Sequence, residues 1–154
     1  MPGDEAPLAY ALRPATSLDH NVLYAINEAA MRGYVEAAYG PWVETVQREF
    51  FQARIDRGLL QAVVAGGEVV GLLEVDDRFD TVYVQEIAIS PPSQGRGFGT
   101  AILRDIQQKA AARGAAVELQ VLKVNPAKRL YERLGFLATG ETETHHQMRW
   151  AAES

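Results

Sequence analysis

Apolar residues along the chain follow two alternating periods, and together these predict a mixed α/β fold. Period-two runs bounded by turn residues predict strands, and apolar residues spaced three and four apart predict helices. The strands are expected at 8–16, in a hairpin over 59–75, and at 81–89, 116–124, 136–141 and 145–150. The helices are expected from about Ser17 to the break at Gly40-Pro41, over 42–56, from the stretch at 94–100 to Gly114, and over 125–136.

Turn and cap signals support several of these boundaries. Thr16 followed by Asp19 resembles a capping box at the start of the first helix. Gly66-Gly67 between two apolar runs is a strong signal for a two-residue hairpin. Asn125 is typical of a helix N-cap. The strand, helix and strand over 81–124 predict a parallel crossover, so the sheet is expected to be mixed.

The apolar spacing assigns an inward face to two of the helices. On the first helix this face comprises Val22, Leu23, Ile26, Ala30 and Met31. On the third helix it comprises Ile102, Leu103, Ile106 and Ala110. Both helices are therefore expected to pack against the sheet.

Composition narrows the class of protein. A chain of 154 residues, 47% apolar and 23% charged, suits a single globular domain over 1–154. The chain has no cysteine, which fits a reducing compartment, and its acidic N-terminus and lack of a ~20-residue apolar stretch predict a cytoplasmic protein without a membrane segment. A formal net charge of −5 argues against nucleic-acid binding and favours cationic small molecules or basic peptides as partners.

The stretch "QGRGFGT" at 94–100 carries three glycines between a predicted strand and a predicted helix. It does not fit the dinucleotide pattern G-x-G-x-x-G, because Thr100 stands at the third glycine position. It does not fit a Walker A loop, which requires lysine after its last glycine. The stretch therefore remains either an anion site at a helix N-terminus or a plain strand-to-helix turn.

A second stretch adds a resemblance to a known family. Gln94-x-x-Gly97-x-Gly99, followed by Asn125 and "LYERLGF" at 130–136, resembles the acetyl-CoA-binding signature of the GNAT superfamily of N-acetyltransferases. The predicted element order matches that fold over nearly the whole chain, and two further stretches, 31–42 and 141–150, look like a group of small bacterial members. The resemblance implies an α/β fold of the α+β type. Its central sheet would have about seven strands, mixed and mostly antiparallel, with about four helices on both faces.

The resemblance also implies which residues bind acetyl-CoA. The diphosphate would lie on the loop formed by Gln94, Gly95, Arg96, Gly97, Phe98, Gly99 and Thr100, and the thioester beside Ile87, Ala88 and Ile89. Asn125 would contact the CoA arm, although an N-cap alone also explains an asparagine there. Ile87 and Ile89 also suit the core, and no metal is implied.

Two residues are expected to move protons. The resemblance assigns Tyr131 as the general acid that protonates the leaving CoA thiolate, whereas its apolar spacing alone predicts a core position. Glu86, beside the thioester segment, is the candidate base that deprotonates the amine, with Tyr83, Glu36 and water alone as alternatives. Strand alternation places Glu86 on the face of Val82 and Val84 unless a bulge intervenes, and the family usually has a bulge here.

The acceptor is expected to meet the first two helices and the last hairpin, as is usual in this fold. These supply Tyr34, Glu36, Tyr39, Trp42, His145 and His146. Aromatic rings with carboxylates suit a cation, whereas the alternatives are core packing for the aromatics and solvated strand ends for the histidines. The two adjacent histidines point to opposite faces of a strand and make a poor metal site.

These inferences predict an acetyl-CoA-dependent N-acetyltransferase that acts on a primary amine of a small molecule or peptide. Transfer would be direct within a ternary complex, since the chain has no cysteine and lacks the motifs of a serine nucleophile. A non-catalytic acyl-CoA-binding or regulatory module on the same fold is the alternative, and a nucleotide-binding protein is a third. The protein is expected to be a monomer or a homodimer.

Overall fold

The computed structural model describes residues 8–153. Its strands are β1 (Ala11–Pro14), β2 (Leu60–Ala65), β3 (Glu68–Asp77), β4 (Thr81–Ile89), β5 (Ala116–Leu122), β6 (Leu137–Glu141) and β7 (His145–Trp150). Its α-helices are α1 (His20–Tyr39), α2 (Glu44–Asp56), α3 (Phe98–Ala112) and α4 (Lys128–Arg133). The predicted single domain also includes residues 1–7 and 154, which lie outside the described residues.

The strands of the described chain form one mixed sheet in the order β1-β2-β3-β4-β5-β7-β6. β4 and β5 are parallel, and every other neighbouring pair is antiparallel. Helix α3 makes the crossover between the two parallel strands, as the alternation of strand and helix predicts. The structure therefore confirms the predicted mixed, mostly antiparallel sheet of seven strands.

Two apolar cores cover the two faces of this sheet. On one face, residues of α1 and α2 such as Leu23, Phe51 and Ile55 pack against β2, β3 and Ala88 of β4. On the other face, α3 and α4 pack against the central strands around Ile102 and Leu103. The helices thus lie on both faces, as predicted. None of the helices within residues 8–153 is long and apolar enough to cross a membrane.

Local sequence signals are confirmed at two turns. Thr16 and Asp19 form the predicted capping box, which here caps the start of a short 3₁₀ turn (Ser17–Asp19) that leads into α1. Gly66 and Gly67 form the predicted hairpin, with φ angles of 59° and 78°. Two positive φ angles are what a two-residue turn of this kind requires, and glycine adopts them without strain.

Other boundaries differ from those predicted. β1 is shorter than the predicted 8–16, and β5 ends at Leu122, because the chain turns there and the N–H of Asn125 donates to the Leu122 carbonyl at 2.9 Å. α4 begins only at Lys128. Val22, predicted to face inward, is 51% exposed, because it lies at the edge of the buried stripe of α1.

A bulge at Gln85 interrupts the pairing of β4 with β3. Glu74 pairs with Glu86 and Val75 with Val84, which leaves Gln85 as the extra residue. Strict alternation would place Glu86 on the α3 face with Val82 and Val84, but the extra residue moves it to the α1 and α2 face. The bulge expected from the family resemblance is therefore present, and unbroken alternation is wrong at this position.

Asp19 allows a prediction about stability and pH. Its carboxylate accepts two hydrogen bonds from Arg13 and one from the Thr16 N–H, each 2.8 Å long. The Arg13 guanidinium lowers the pKa of Asp19 to about 2. A carboxylate whose pKa is lowered on folding adds stability above its unfolded pKa of about 4 and loses that contribution as pH falls towards the folded value.

We therefore expect Asp19→Asn to lower the free energy of unfolding by about 1 to 2 kcal/mol at pH 7. The difference from the parent chain should shrink steadily between pH 4 and pH 2, as measured by urea unfolding. Asp56→Asn, at an exposed position at the end of α2, is the matched control and should change little. A difference for Asp19→Asn that stays constant down to pH 2 would contradict the assignment.

Candidate functional site

A cleft opens where β4 and β5 separate. The two strands pair only from Thr81 with Ala116 to Val84 with Leu119, although both continue beyond that point. The separation begins at the bulge residue Gln85, as expected for a bulge, which bends its strand and increases the twist. The result is a cleft of about 240 Å³ with backbone of β4 on one side and of β5 on the other.

The cleft brings together several residues that the sequence analysis singled out. Glu86 and Ile87 of β4, Asn125, Tyr131 of α4 and His145 of β7 all line it. Tyr39, at the end of α1, lines its outer part. The remaining lining residues are Met31, Val35, Val84, Gln85, Leu119, Gln120, Val121 and Leu122. Residues from five elements that are distant in sequence thus meet at the point where the sheet divides.

Glu86 has an exposed fraction of 13% for its side chain and is held from two helices. Arg54 of α2 donates from Nη2 to Glu86 Oε1 at 2.8 Å. Asn27 of α1, with its amide nitrogen turned to the carboxylate, donates to Oε1 at 3.0 Å and to Oε2 at 2.7 Å. Burial raises the pKa of Glu86, Arg54 opposes this, and Glu74 adds to it. A base whose pKa lies closer to neutrality holds a proton more readily at physiological pH.

Tyr131 is 9% exposed and packs edge-to-face on Phe136, with ring centroids 5.8 Å apart. Burial raises the pKa of Tyr131 to about 12, and the negative charge of Glu86 adds to this effect. The phenol therefore stays protonated throughout the neutral range. Tyr131 belongs both to the core, as its spacing predicts, and to the cleft wall.

Asn125 caps a turn in the connection from β5 to α4. Its side-chain oxygen accepts a hydrogen bond from the Ala127 N–H at 2.9 Å. The helix itself begins at Lys128, so the predicted N-cap is displaced and Asn125 caps the turn that precedes the helix. Since Asn125 also lines the cleft, the capping role and a ligand contact are compatible.

His145 and Tyr39 meet across the mouth of the cleft through Thr144. The Tyr39 hydroxyl lies 3.4 Å from Thr144 Oγ1, which lies 2.8 Å from His145 Nδ1. Burial lowers the pKa of His145, so the neutral imidazole is favoured. His146 lies 3.8 Å from Glu141 and does not line the cleft. Of the two histidines that are adjacent in sequence, His145 therefore lines the cleft and His146 does not.

The glycine-rich loop leads into α3. Gly97 is the N-cap with a φ of 91°, a conformation that favours glycine. The first intrahelical hydrogen bond runs from the Ala101 N–H to the Gly97 carbonyl, at 3.0 Å. The N–H groups of Phe98, Gly99 and Thr100 therefore have no acceptor within the helix. A Cβ added at Gly99 would meet no atom within 4 Å, so there is room for a ligand against this turn.

Two side chains of the loop have structural contacts of their own. Gln94 donates from its amide to the Ile89 carbonyl at 3.0 Å, which ties the loop to the end of β4. Arg96 is exposed, with its guanidinium carbon 5.2 Å from the centre of the buried Phe98 ring. Backbone groups, rather than the side chains of Gln94 and Phe98, are thus what the loop offers to an anion.

The β4 segment that the resemblance places beside the thioester has its side chains in both cores. Ala88 is buried against the α1 and α2 face, and Ile87 and Ile89 pack against the other core. Past Val84, one backbone edge of this segment pairs with β3, and the edge towards β5 has lost its partner strand. An extended ligand arm can therefore pair with this second edge.

The structure does not bring Trp42 to this cleft, so its contact with the acceptor stays a prediction. Trp42 is 7% exposed within the core, and its indole N–H donates to the Tyr24 hydroxyl at 3.0 Å. Tyr34 and Glu36 lie on α1 but do not line this cleft, and Glu36 instead pairs with Arg32 at 3.3 Å. Tyr83 precedes the bulge and lies under Arg78, outside the cleft. Acceptor contacts by Tyr34 and Glu36 remain predictions.

Three residues that hold or face Glu86 were not predicted from the sequence: Asn27, Arg54 and Glu74. Glu74 has a side chain only 2% exposed and pairs directly with Glu86 across β3 and β4. Each stands at an inward position of an apolar pattern, and a polar residue there is the signal that could have revealed a buried network. Among the described residues, no group of three or more histidine, aspartate or glutamate side chains could hold a metal ion.

The arrangement can be compared with known proteins. The family described as "Acetyltransferase (GNAT) family" matches residues 23–136, which is most of the chain and includes most of α1, the glycine-rich loop and Tyr131. The chain belongs to the GNAT family. The predicted family, a family of acetyltransferases, is thereby confirmed.

Solved structures share the GNAT fold at low sequence identity. PaiA N-acetyltransferase from Thermoplasma acidophilum, solved in complex with coenzyme A, is 14% identical with a TM-score of 0.72, covering 94% of this chain and 100% of that one. The ribosomal-protein-S18-alanine N-acetyltransferase from Escherichia coli is 21% identical with a TM-score of 0.68, covering 93% and 94%. At this level of identity the likeness shows the fold.

A curated relative is more similar over a shorter segment. L-2,4-diaminobutyric acid acetyltransferase from Nocardia farcinica is 39% identical over 64 residues, or 41% of this chain. The matched segment spans 33% of the length of that relative.

Proposed function

We propose that this GNAT protein is an acetyl-CoA-dependent N-acetyltransferase that acts on a primary amine of a small molecule or peptide. The observation that carries the proposal is the meeting of Glu86 and Tyr131 in one cleft, where β4 and β5 separate. A carboxylate of raised pKa and a protonated phenol form an acid and base pair suited to proton transfer. The fold likeness to a protein solved with coenzyme A supports the choice of cosubstrate.

The glycine-rich loop would hold the diphosphate of CoA. N–H groups of the stretch 95–100 lie at the positive end of the α3 dipole, which favours an anion. Arg96, which is exposed, would add a side-chain charge. The free edge of Ile87, Ala88 and Ile89 would pair with the CoA arm, and Asn125 would contact it. Acetyl-CoA supplies the thioester whose acetyl group is transferred.

Glu86 would act as the base. An amine like that of lysine has a pKa of about 10.4, and removing its proton at pH 7 costs about 4 to 5 kcal/mol. Asn27 and Arg54 occupy part of the hydrogen-bonding capacity of the Glu86 carboxylate, and a carboxylate can accept about four bonds. Glu86 can therefore also accept the proton of the amine, either directly or through a water molecule.

Tyr131 would act as the acid. Direct transfer forms the C–N bond of the amide and breaks the C–S bond of the thioester, and the sulfur leaves as a thiolate that gains a proton. With a pKa of about 12, Tyr131 remains protonated until that step. The ammonium group first loses one proton to Glu86, which passes it to water. The attacking nitrogen loses a second proton as the amide forms, and this offsets the phenol proton that goes to sulfur, so the overall reaction releases one proton to the solvent.

The acceptor would enter between the end of α1 and the β6–β7 hairpin. Tyr39 and His145 stand at this mouth, and Met31, Val35 and Leu122 form an apolar wall. The segment shared with a diaminobutyric acid acetyltransferase makes small diamino acids the first acceptors to test. Polyamines and N-terminal peptides follow in the same assay.

Gly99→Ala tests the cosubstrate site. Gly99 lies in the first turn of α3 at an ordinary φ, so alanine should leave the unliganded protein intact, whereas its methyl group would occupy space needed by the diphosphate. We expect acetyl-CoA to bind at least about tenfold more weakly by calorimetry, with an unchanged Tm. Gly33→Ala on α1 is the matched control, because it also adds a methyl group in open space. Equal affinity in both variants would contradict the site.

Tyr131→Phe tests catalysis. We expect kcat to fall at least about tenfold, since a general acid typically contributes about a hundred- to ten-thousandfold. The KM for acetyl-CoA should change little, as measured by release of free thiol. Tyr10→Phe, which removes a phenol that donates to Asp105 of α3 outside the cleft lining, should leave kcat unchanged.

The alternative is a non-catalytic acyl-CoA-binding module on the same fold. Tight acetyl-CoA binding without turnover on any amine of the panel would favour it. An unchanged kcat in Tyr131→Phe would leave the transferase proposal intact but remove Tyr131 as the acid.

A further inference from the structure

Two carboxylates stand opposite each other beneath the cleft, on neighbouring strands of the sheet. Glu74 and Glu86 are direct cross-strand partners in the antiparallel pair of β3 and β4. Residues opposite each other in such a pair have their Cβ atoms about 4.5 to 5.5 Å apart, and like charges there are destabilising. Their side chains are 2% and 13% exposed, so water screens this repulsion poorly.

One side chain connects the two carboxylates. Arg54 Nε donates to Glu74 Oε1 at 2.7 Å, and Arg54 Nη2 donates to Glu86 Oε1 at 2.8 Å. The Arg54 side chain is 20% exposed and its guanidinium carbon lies 5.2 Å from the centre of the Phe51 ring, which fixes its place on α2. Arginine suits this position because its planar group presents donors in a fixed geometry and keeps its charge.

The other charged groups around the pair have different positions. Arg57, 63% exposed, reaches only the far oxygen of Glu74, at 3.3 Å. From α1 the neutral Asn27 faces Glu86, from α4 the phenol of Tyr131 does, and from β7 His145 lines the same cleft. Arg54 is thus the guanidinium that directly contacts the Glu86 carboxylate.

We propose that Arg54 is a positioning residue for the reaction, which holds Glu86 as an ionised carboxylate aimed from the β4 bulge into the cleft. Glu74 is its counterpart, because it fixes the second half of the guanidinium and opposes the ionisation of Glu86. This proposal rests on the proposed function, in which Glu86 accepts the proton of the amine. It assigns to α2 a role in setting the charge of the base.

The proposal predicts opposite effects for the two partners. Without Arg54, its positive charge no longer offsets the repulsion between the two carboxylates. Arg54→Gln should therefore raise the pKa of Glu86 by about one unit or more. Glu74→Gln removes the repulsion between the two carboxylates and leaves Glu86 as the only charged partner of Arg54 in this pair. It should therefore lower the pKa of Glu86. Arg54→Lys keeps the positive charge and should restore most of the parent value. General loosening of the fold would not produce shifts of opposite sign.

The direct measurement is a carbon-13 NMR titration of the side-chain carboxyl of Glu86, assigned by its loss in Glu86→Gln. Arg57→Gln is the matched control, because it removes an exposed arginine that touches Glu74 but not Glu86, and it should shift the titration by less than about 0.3 units. This readout needs no turnover. It therefore tests Arg54 even if the chain acetylates none of the amines offered, an outcome that would count against the proposed function alone.

The kinetic measurement is the acid limb of kcat/KM against pH. A base must be deprotonated, so activity falls as pH drops through its pKa. We expect this limb to move up in Arg54→Gln and down in Glu74→Gln, with Arg54→Lys near the parent chain. The same directions in the NMR titration and in the limb would support the proposal.

Two outcomes would overturn it. One is a Glu86 titration that stays within about 0.3 units of the parent chain in a folded Arg54→Gln variant. The other is a shift of the same sign in Arg54→Gln and Glu74→Gln. If Arg54→Gln fails to fold, Glu74→Gln decides alone: a lower Glu86 titration supports the proposal and an unchanged one overturns it.

Discussion

The candidate site depends on one extra residue in β4. If Gln85 were an ordinary paired residue and not a bulge, β4 would continue its alternation and its pairing, and Glu86 would face the core beneath α3 with Val84. With the bulge, Glu86 turns towards α1 and α2, and β4 separates from β5 at the same point. One local irregularity therefore creates the cleft and places a carboxylate in its wall, which is consistent with the tendency of bulges to re-aim side chains next to active sites.

Burying Glu86 and Glu74 opposite each other would cost much free energy without hydrogen-bond donors and positive charge around them. A buried carboxylate loses its hydration, and two opposed carboxylates add repulsion to that loss. Arg54 and Asn27 donate hydrogen bonds to Glu86, and Arg54 and Arg57 donate hydrogen bonds to Glu74, which offsets part of this cost. Breaking a buried ion pair by removing one partner typically costs about 3 to 5 kcal/mol, so this network fixes α2 on the sheet as well as the charge of Glu86.

Features set by neighbours in the chain could be predicted from the sequence. Thr16 and Asp19, Gly66 and Gly67, and the extents of β4 and β7 follow from caps, turns and alternation, and the crossover over 81–124 then determined the mixed sheet. Contacts between distant elements could not be predicted in this way. Trp42 illustrates the difference, because an aromatic residue after a Gly-Pro break suits a binding surface as well as the core, and only the position of Tyr24 makes it core. Arg54 stands on the inward stripe of α2 beside Phe51 and Ile55, but the groups that it meets there are known only once Glu74 and Glu86 are placed beneath it.

The charge inside the cleft also changes how an amine would be recognised. The net charge of −5 favours cations, yet Glu86 is the sole carboxylate among the described residues that line the cleft, and Arg54 offsets it. The site therefore attracts an ammonium group less strongly than the chain as a whole suggests. Its apolar wall disfavours the charged form of any amine that enters, and each unit by which burial lowers the pKa of the amine removes about 1.4 kcal/mol from the cost of deprotonation. In such a cleft, desolvation lowers the pKa of the amine and Glu86 accepts its proton. Because both contribute, a base whose pKa is only moderately raised is sufficient.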